Sequence, residues 1–307
     1  ERQRLFNLPR SSWQDYDKSL ISRGGGVFSR SLKAIALTPE IQAVLGLPQD
    51  QATPAEVMSA ILRAEVDLLW FGGIGTYIRS SQESDAEVGD RANDAIRVAG
   101  NTVRARVIGE GANLGVTQRG RVEFALGGGR INTDAIDNSS GVNSSDLEVN
   151  IKIALAPLVA DGTMDGDERR ALLAAMTDEV AALCLRNNYL QSLALSLAQR
   201  AGTSELPGHR ELIAQLEGRG LLDRAVEFLP TDAALDAREA AGQGLTRPEL
   251  AVIQAYAKLT LYADLLAGRS IDDDYLAGEL YRYFPETLRR RHPEAVKGHR
   301  LGREVIA

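Results

Sequence analysis

Residues 103–148 constrain the fold of this 307-residue chain more than any other stretch. Apolar side chains alternating with arginines from Val103 onward predict a strand, which ends at Gly109-Glu110-Gly111. Thr117 is a predicted N-cap of a helix that three glycines end, and a second strand follows around residues 130–133. An Asn/Ser/Gly loop then opens into a long helix. Polar side chains after successive strands are typical of the ligand-binding edge of an open α/β sheet.

The residues before this stretch repeat the same rhythm. Thr53-Pro54-Ala55-Glu56 has the capping box of a helix start, with proline in the first turn. Residues 66–71 form a nearly continuous apolar run, which is typical of a buried parallel strand and ends at Gly72-Gly73-Ile74-Gly75. Helices and strands that alternate in this way predict an α/β fold, here a partial doubly wound, Rossmann-like parallel sheet.

The pattern changes after about residue 160. Long Ala/Leu-rich helices follow without a convincing strand, and Thr246-Arg247-Pro248-Glu249 supplies a second capping box. We therefore predict two domains, an α/β domain over residues 1–160 and an all-α helical domain over residues 161–307. The helical part contains no residue cluster that indicates chemistry, because its three histidines are scattered.

Composition excludes several functional classes. The 35 basic and 42 acidic residues give a net charge of −7, which argues against a nucleic-acid or anionic-membrane partner. A lone cysteine, Cys184, excludes an internal disulfide and a multi-cysteine zinc site. No secretory signal is recognisable and no apolar run approaches the roughly 20 residues of a membrane span, so we predict a cytoplasmic protein. The chain begins at Glu1, and we interpret it as a piece of a longer polypeptide.

Several motifs resemble one enzyme family. EGAN at Glu110–Asn113, NSSGV at Asn138–Val142 and SSDLE at Ser144–Glu148 are similar to the nicotinamide-domain signatures of glutamate dehydrogenases. WFGGIGTY at Trp70–Tyr77 and GGGRINTDAIDN at Gly127–Asn138 resemble the very large bacterial NAD-dependent branch. The resemblance implies oxidative deamination of L-glutamate to 2-oxoglutarate and ammonia, with NAD as the hydride acceptor. It also implies a homo-oligomer.

The resemblance assigns six binding residues by their place in these motifs. The predicted cofactor-binding residues are Gly72, Gly73, Gly111, Asn113 and Asn138. Ser145 is the predicted ligand of the substrate's side-chain carboxylate. Ser139 and Ser140 replace an Ala-Gly pair of the smaller relatives. The sequence departs from the family pattern here, at the loop where the backbone would approach the ligand.

Structural alternatives stand beside these assignments. The alternative for Asn113 is a loop asparagine that bonds its own backbone, and the complete motif favours the cofactor contact. Ser144 or Ser145 would serve as the N-cap of the long helix. Glu110 is either a buried acid that orients Asn113 or a solvated loop carboxylate. Gly24-Gly25-Gly26 is either a cradle for a phosphate or sugar edge or a flexible surface turn.

No residue matches the family's catalytic lysine and aspartate or its first phosphate-binding glycine loop. We therefore assign no catalytic residue and no metal site, and we expect this chain alone to be inactive. Two other functions remain open. One is a leucine- or phenylalanine-type amino-acid dehydrogenase, and the other is a non-catalytic module whose helices assemble subunits.

Overall fold

Local capping signals set several helix starts in the computed structural model, which describes residues 1–307. Thr53 and Glu56 form the predicted capping box, and Thr246 and Glu249 form the second one. The hydroxyl of Thr117 accepts a hydrogen bond from the backbone N–H of Gly120, as predicted for an N-cap. These starts depend only on side chains within one turn, so the sequence suffices to predict them.

Seven short strands, sixteen α-helices and six short 3-10 helices make up the structure. The strands are β1 Ile35–Ala36, β2 Gln51–Ala52, β3 Leu68–Phe71, β4 Ile78–Arg79, β5 Val98–Ala99, β6 Val107–Glu110 and β7 Arg130–Ile131. The helices are α1 Arg2–Asn7, α2 Pro39–Leu45, α3 Pro54–Leu62, α4 Asp85–Val88, α5 Gln118–Leu126, α6 Asp134–Asp137, α7 Ser139–Ala160, α8 Gly166–Ala175, α9 Thr177–Ala201, α10 Leu206–Gly218, α11 Asp232–Ala240, α12 Arg247–Ala267, α13 Ala277–Tyr283, α14 Glu286–Arg291, α15 Pro293–Lys297 and α16 Gly302–Ile306.

Contacts divide the chain into two compact units. The first comprises Glu1–Gly109 and Leu114–Ile131, and the second comprises Glu110–Asn113 and Asn132–Ala307. The first unit contains a sheet in the order β3-β6-β7, in which β6 and β7 run parallel. β4 and β5 form a separate parallel pair, and β1 and β2 an antiparallel one. The predicted α/β class, with a partial Rossmann-like sheet followed by helices, is confirmed.

Two strand predictions in the first unit are wrong in detail. The strand expected from Val103 begins at Val107, because the residues before it form a tight turn closed by Val103 N–H on the carbonyl of Gly100. The apolar run over residues 66–71, predicted to be a buried strand, is buried on one face only. Leu68 and Trp70 of the edge strand β3 are 55% and 58% exposed. Its other face packs Phe71 into the core of the first unit.

The second unit has helices and turns only from Asn132 to Ala307, as the sequence predicts. One core gathers helices α9 to α12 around Leu195, Leu206, Ile213 and Leu235. A second core joins α7, α8 and the C-terminal helices around Leu155, Met176, Phe284 and Leu288. The predicted domain boundary after residue 160 lies at the end of α7, within the second unit, and stays a prediction.

Helix α12 is long enough and apolar enough, by length and composition alone, to cross a membrane. The expectation that no segment approaches this length is therefore wrong for this helix. Core helices meet the same criterion, and Leu250, Ala251 and Ile253 of α12 pack into the first helical core. A single such helix does not by itself indicate a membrane span.

Candidate functional site

Two of the predicted cofactor ligands contact each other. Asn113 lies in the loop after β6, and Asn138 lies between α6 and α7. The Nδ2 of Asn138 donates to the Oδ1 of Asn113 at 2.7 Å. Asn113 is exposed whereas Asn138 is 8% exposed, so the buried amide holds the exposed one. In this bond the Oδ1 of Asn113 is the acceptor, and the other end of the same amide, its Nδ2, is a hydrogen-bond donor.

Asn138 also begins the long helix α7. Its Oδ1 accepts a hydrogen bond of 3.0 Å from the backbone N–H of Gly141, which makes it the N-cap. A Cβ on Gly141 would lie 2.5 Å from that oxygen, so only glycine leaves room for the amide. One side chain therefore caps the helix with its oxygen and holds Asn113 with its nitrogen.

A second polar network fixes the loop that contains Asn113. Asp137 accepts the backbone N–H of Glu110 at 3.1 Å on one carboxylate oxygen and the Nδ2 of Asn132 at 2.7 Å on the other. The side chain of Glu110 is fully buried at the end of β6, so the alternative of a solvated loop carboxylate is wrong. Gly111 follows it in the loop, partly buried. The end of β6 and the loop after it are thus hydrogen-bonded at two points to the end of α6 and to Asn138.

Ser145 is not an N-cap. Helix α7 already begins at Ser139, and Ser145 lies in its second turn with an exposed side chain. The N-cap expectation for Ser144 or Ser145 is wrong because Asn138 supplies the cap six residues or more earlier. Ser145 follows Asn138 by seven residues, which places it on the same side of the helix and about 10 Å along its axis.

Gly72 and Gly73 lie in the loop after β3, in the first compact unit. A Cβ on Gly73 would meet nothing within 4 Å, so Gly73 borders open space. The end of this loop is held by Asp90, which accepts the backbone N–H of Thr76 at 2.8 Å. That bond, together with one from Asn93, keeps the pKa of Asp90 below its usual value.

A buried arginine closes the same loop. The guanidinium of Arg97 is fully buried and donates to the carbonyl of Thr76 at 2.9 Å and to the carboxylates of Asp85 and Asp94 at 2.8 and 2.7 Å. The bond from Arg97 holds the pKa of Asp85 below its usual range. The charged residues around position 90 therefore shape the glycine loop.

Three side chains of the helical segment, which sequence analysis leaves without a role, bind the start of α7 and the neighbouring loop. Asn188 of α9 donates to the carbonyl of Ile136 at 2.8 Å and to the hydroxyl of Ser139 at 2.9 Å. Asn187 donates to Asn143 at 3.2 Å. Arg247, the first residue of α12, donates to the Oδ1 of Asn132 at 2.9 Å. The only sequence signal for these contacts is the adjacent pair of asparagines in the Ala/Leu-rich helix α9.

Other features lie apart from these residues. A cavity of about 670 Å³ lies at the amino-terminal ends of β6 and β7 and contains none of the predicted site residues. Gly25 and Gly26 line a groove of about 550 Å³ with Trp13 and Tyr16, and both interpretations of the glycine cluster stay open. No group of three or more His, Cys, Asp or Glu is placed to hold a metal ion.

Comparison with known proteins identifies similar chains. The family described as "Bacterial NAD-glutamate dehydrogenase, catalytic domain" matches residues 1–198, and "Glutamate dehydrogenase, C-terminal" matches residues 242–307. This chain is 54%, 50% and 52% identical to the NAD-specific glutamate dehydrogenases of Pseudomonas aeruginosa, Halomonas elongata and Mycobacterium tuberculosis, respectively. Each alignment covers 100% of this chain and 19% of the relative, so the chain spans about a fifth of the length of these proteins.

Proposed function

The chain belongs to the bacterial NAD-glutamate dehydrogenase catalytic-domain family, and from this premise we propose its function. The complete protein that contains these residues oxidises L-glutamate to 2-oxoglutarate and ammonia, with NAD as the hydride acceptor. The observation that carries the proposal is the hydrogen-bonded pair Asn113–Asn138, which links the loop after β6 to the start of α7. The names of the three relatives support the same substrate and cofactor.

The Asn113–Asn138 pair fits a nicotinamide cofactor. Bound NAD supplies the acceptor for the hydride from the substrate Cα. Within this chain, the Nδ2 of Asn113 donates to a carboxamide or ribose oxygen, and Asn138 fixes which end of the Asn113 amide is presented. Gly111 and the glycines after β3, Gly72 and Gly73, let the backbone approach the cofactor closely. The acid and base of the reaction are not assigned to this chain.

The amino-terminal part of α7 suits the substrate. Its first turn contains no acidic residue, so the positive end of this 22-residue helix is not neutralised locally. The exposed hydroxyl of Ser145 lies two turns beyond Asn138 and donates to the side-chain carboxylate of glutamate. Because the effect of a helix terminus falls off within the first turn, the hydroxyl of Ser145 itself is the proposed contact for this carboxylate.

The test is steady-state NAD reduction by the complete protein with L-glutamate. We expect Asn113→Ala to raise the KM for NAD and Ser145→Ala to raise the KM for glutamate, each by about tenfold for one lost hydrogen bond at a binding site. Ser144→Ala is the matched control, because the Ser144 hydroxyl bonds the carbonyl of Ser140 within the helix. Ser144→Ala leaves both constants within about twofold.

Three outcomes would contradict parts of the proposal. If the protein oxidised leucine faster than glutamate, the proposed substrate would be wrong, and the protein would be another amino-acid dehydrogenase. Activity without any change in the two variants would keep the reaction and remove Asn113 and Ser145 from the site. An inactive but correctly assembled wild-type protein would favour the non-catalytic assembly module.

We also propose that the complete protein self-associates and works in the cytoplasm. Leu185, Tyr189 and Leu197 of α9 recur at multiples of four residues and are 72%, 63% and 59% exposed, which supports an assembly surface. Light scattering during size-exclusion chromatography measures the mass. Leu185→Lys with Leu197→Lys should reduce the mass if α9 is the interface, and an unchanged oligomer would exclude α9.

A further inference from the structure

The loop that presents Asn113 is connected by hydrogen bonds to the start of helix α12. Arg247 donates from Nε to the Oδ1 of Asn132 at 2.9 Å. Asn132 donates from its own Nδ2 to Asp137 at 2.7 Å, and Asp137 accepts the backbone N–H of Glu110 at 3.1 Å on its other oxygen. Each polar group thus orients the next, from a helix terminus to the backbone three residues before Asn113.

The origin of this connection is rigid. Glu249, 1% exposed, receives a bidentate ion pair from Arg238 at 2.6 and 2.8 Å. The same carboxylate accepts the backbone N–H and the hydroxyl of Thr246 at 2.7 and 2.6 Å, which fixes the first turn of α12. Arg247 follows Thr246 directly, so its backbone has little freedom to move.

Arg247 also contacts α9. Its Nη1 donates to the hydroxyl of Ser196 at 3.1 Å and to the Oε1 of Gln199 at 3.2 Å. The guanidinium is therefore held by two helices while its Nε reaches Asn132. A planar group with several fixed donors transmits position more strictly than a flexible ammonium would.

We infer that Arg247, through Asn132 and Asp137, is a positioning residue for the candidate cofactor loop, so that the C-terminal helices set the affinity for the nicotinamide cofactor. This inference rests on the proposed function. Through Asn132 and Asp137, Arg247 acts on the backbone of Glu110, and Asn113 follows in the same loop.

The experiment uses Arg247→Gln in the complete protein, with Arg210→Gln as the matched control. Arg210 likewise joins two helices, α10 and α11, through Asp236 at 2.6 Å, and it lacks any bond to the loop. Arg247→Gln should raise the KM for NAD about fivefold to tenfold, in keeping with the loss of a hydrogen bond from a charged donor, with kcat within about twofold. Arg210→Gln should change neither constant.

The double variant Arg247→Gln, Asn113→Ala tests the connection itself. If Arg247 acts through the loop, the KM for NAD of the double variant equals that of Asn113→Ala alone, because the effects of coupled residues do not add. If the increase in KM of the double variant equals the product of the two single increases, the inference is overturned. A residue that only stabilises the helices would act independently of Asn113 and give that product.

Amide hydrogen exchange provides a readout that does not depend on catalysis. Arg247→Gln should speed exchange in peptides that contain the amide of Glu110, with the middle of α12 unchanged. Equal acceleration throughout α12 would indicate simple loss of the helix and overturn the inference, as would unchanged exchange at Glu110. A wild-type protein inactive with glutamate and NAD would overturn the proposed function instead, and exchange at Glu110 would still decide whether Arg247 controls the loop.

Discussion

The two roles of Asn138 can be separated by two substitutions. Asn138→Asp keeps an oxygen that accepts the N–H of Gly141 and so keeps the cap, but it removes the Nδ2 that donates to Asn113. Asn138→Ala removes both. The amide of Asn113 would turn over beside an aspartate so that its own Nδ2 donates inward, and the ligand would then face an oxygen instead of a donor.

The magnitudes follow from the two bonds. Loss of an N-cap costs about 1 kcal/mol of stability, and loss of a neutral hydrogen bond about 1 kcal/mol more. Asn138→Ala should therefore destabilise the start of α7 by about 2 kcal/mol and also weaken cofactor binding. Asn138→Asp should cost less than about 1 kcal/mol, because the charge also favours the helix terminus, while the KM for NAD still rises about tenfold.

Two measurements on the complete protein compare the variants. Hydrogen exchange of peptides from the first turn of α7 reports the cap, and steady-state kinetics report the KM for NAD. The reasoning is refuted if Asn138→Asp binds NAD like the wild type while Asn138→Ala does not. Asn138 would then matter only as a cap, and its bond to Asn113 would have no part in cofactor binding.

Three further outcomes are expected. Gly141→Ala should raise the KM for NAD even though alanine favours helices, because its Cβ would displace the Asn138 amide; a KM equal to that of the wild type contradicts this. Arg97→Met should destabilise the first unit by about 1 to 2 kcal/mol, since it removes the buried donor to the carbonyl of Thr76 while Asp85 keeps its ion pair with Arg79, and faster hydrogen exchange in residues 72–97 measures it. Burial lowers the pKa of His209 below its usual value, so the unfolded chain binds more protons and the melting temperature should fall as the pH decreases below about 6.5; His209→Gln should reduce that fall, and identical pH profiles would contradict it.

Sequence predicts the parts of this molecule that depend on near neighbours. The capping boxes at Thr53 and Thr246 are confirmed because each is complete within four residues. The motif residues Asn113 and Asn138 were selected by resemblance, and the structure places them in contact. Their roles with the cofactor and substrate stay predictions.

Features that depend on distant residues could not be predicted. In α7 the apolar Val149 is 51% exposed, whereas the polar Asn150 is buried. Asn150 donates to the hydroxyl of Tyr283, 133 residues away, and that hydroxyl donates to Asp146. Burial and this carboxylate raise the pKa of Tyr283. The periodicity of the α7 sequence cannot indicate a partner so far along the chain, so the burial of Asn150 is not predictable from the sequence.

The hydrogen bond between Arg247 and Asn132 spans 115 residues, and this separation has a consequence during synthesis. A ribosome that adds about 5 to 20 residues per second makes Arg247 roughly 6 to 23 seconds after Asn132. During that interval the loop of Asn113 exists without the helix terminus that fixes it. From the inferred role of Arg247, we expect nascent chains that end before α12 to bind the nicotinamide cofactor about fivefold to tenfold more weakly than the complete chain.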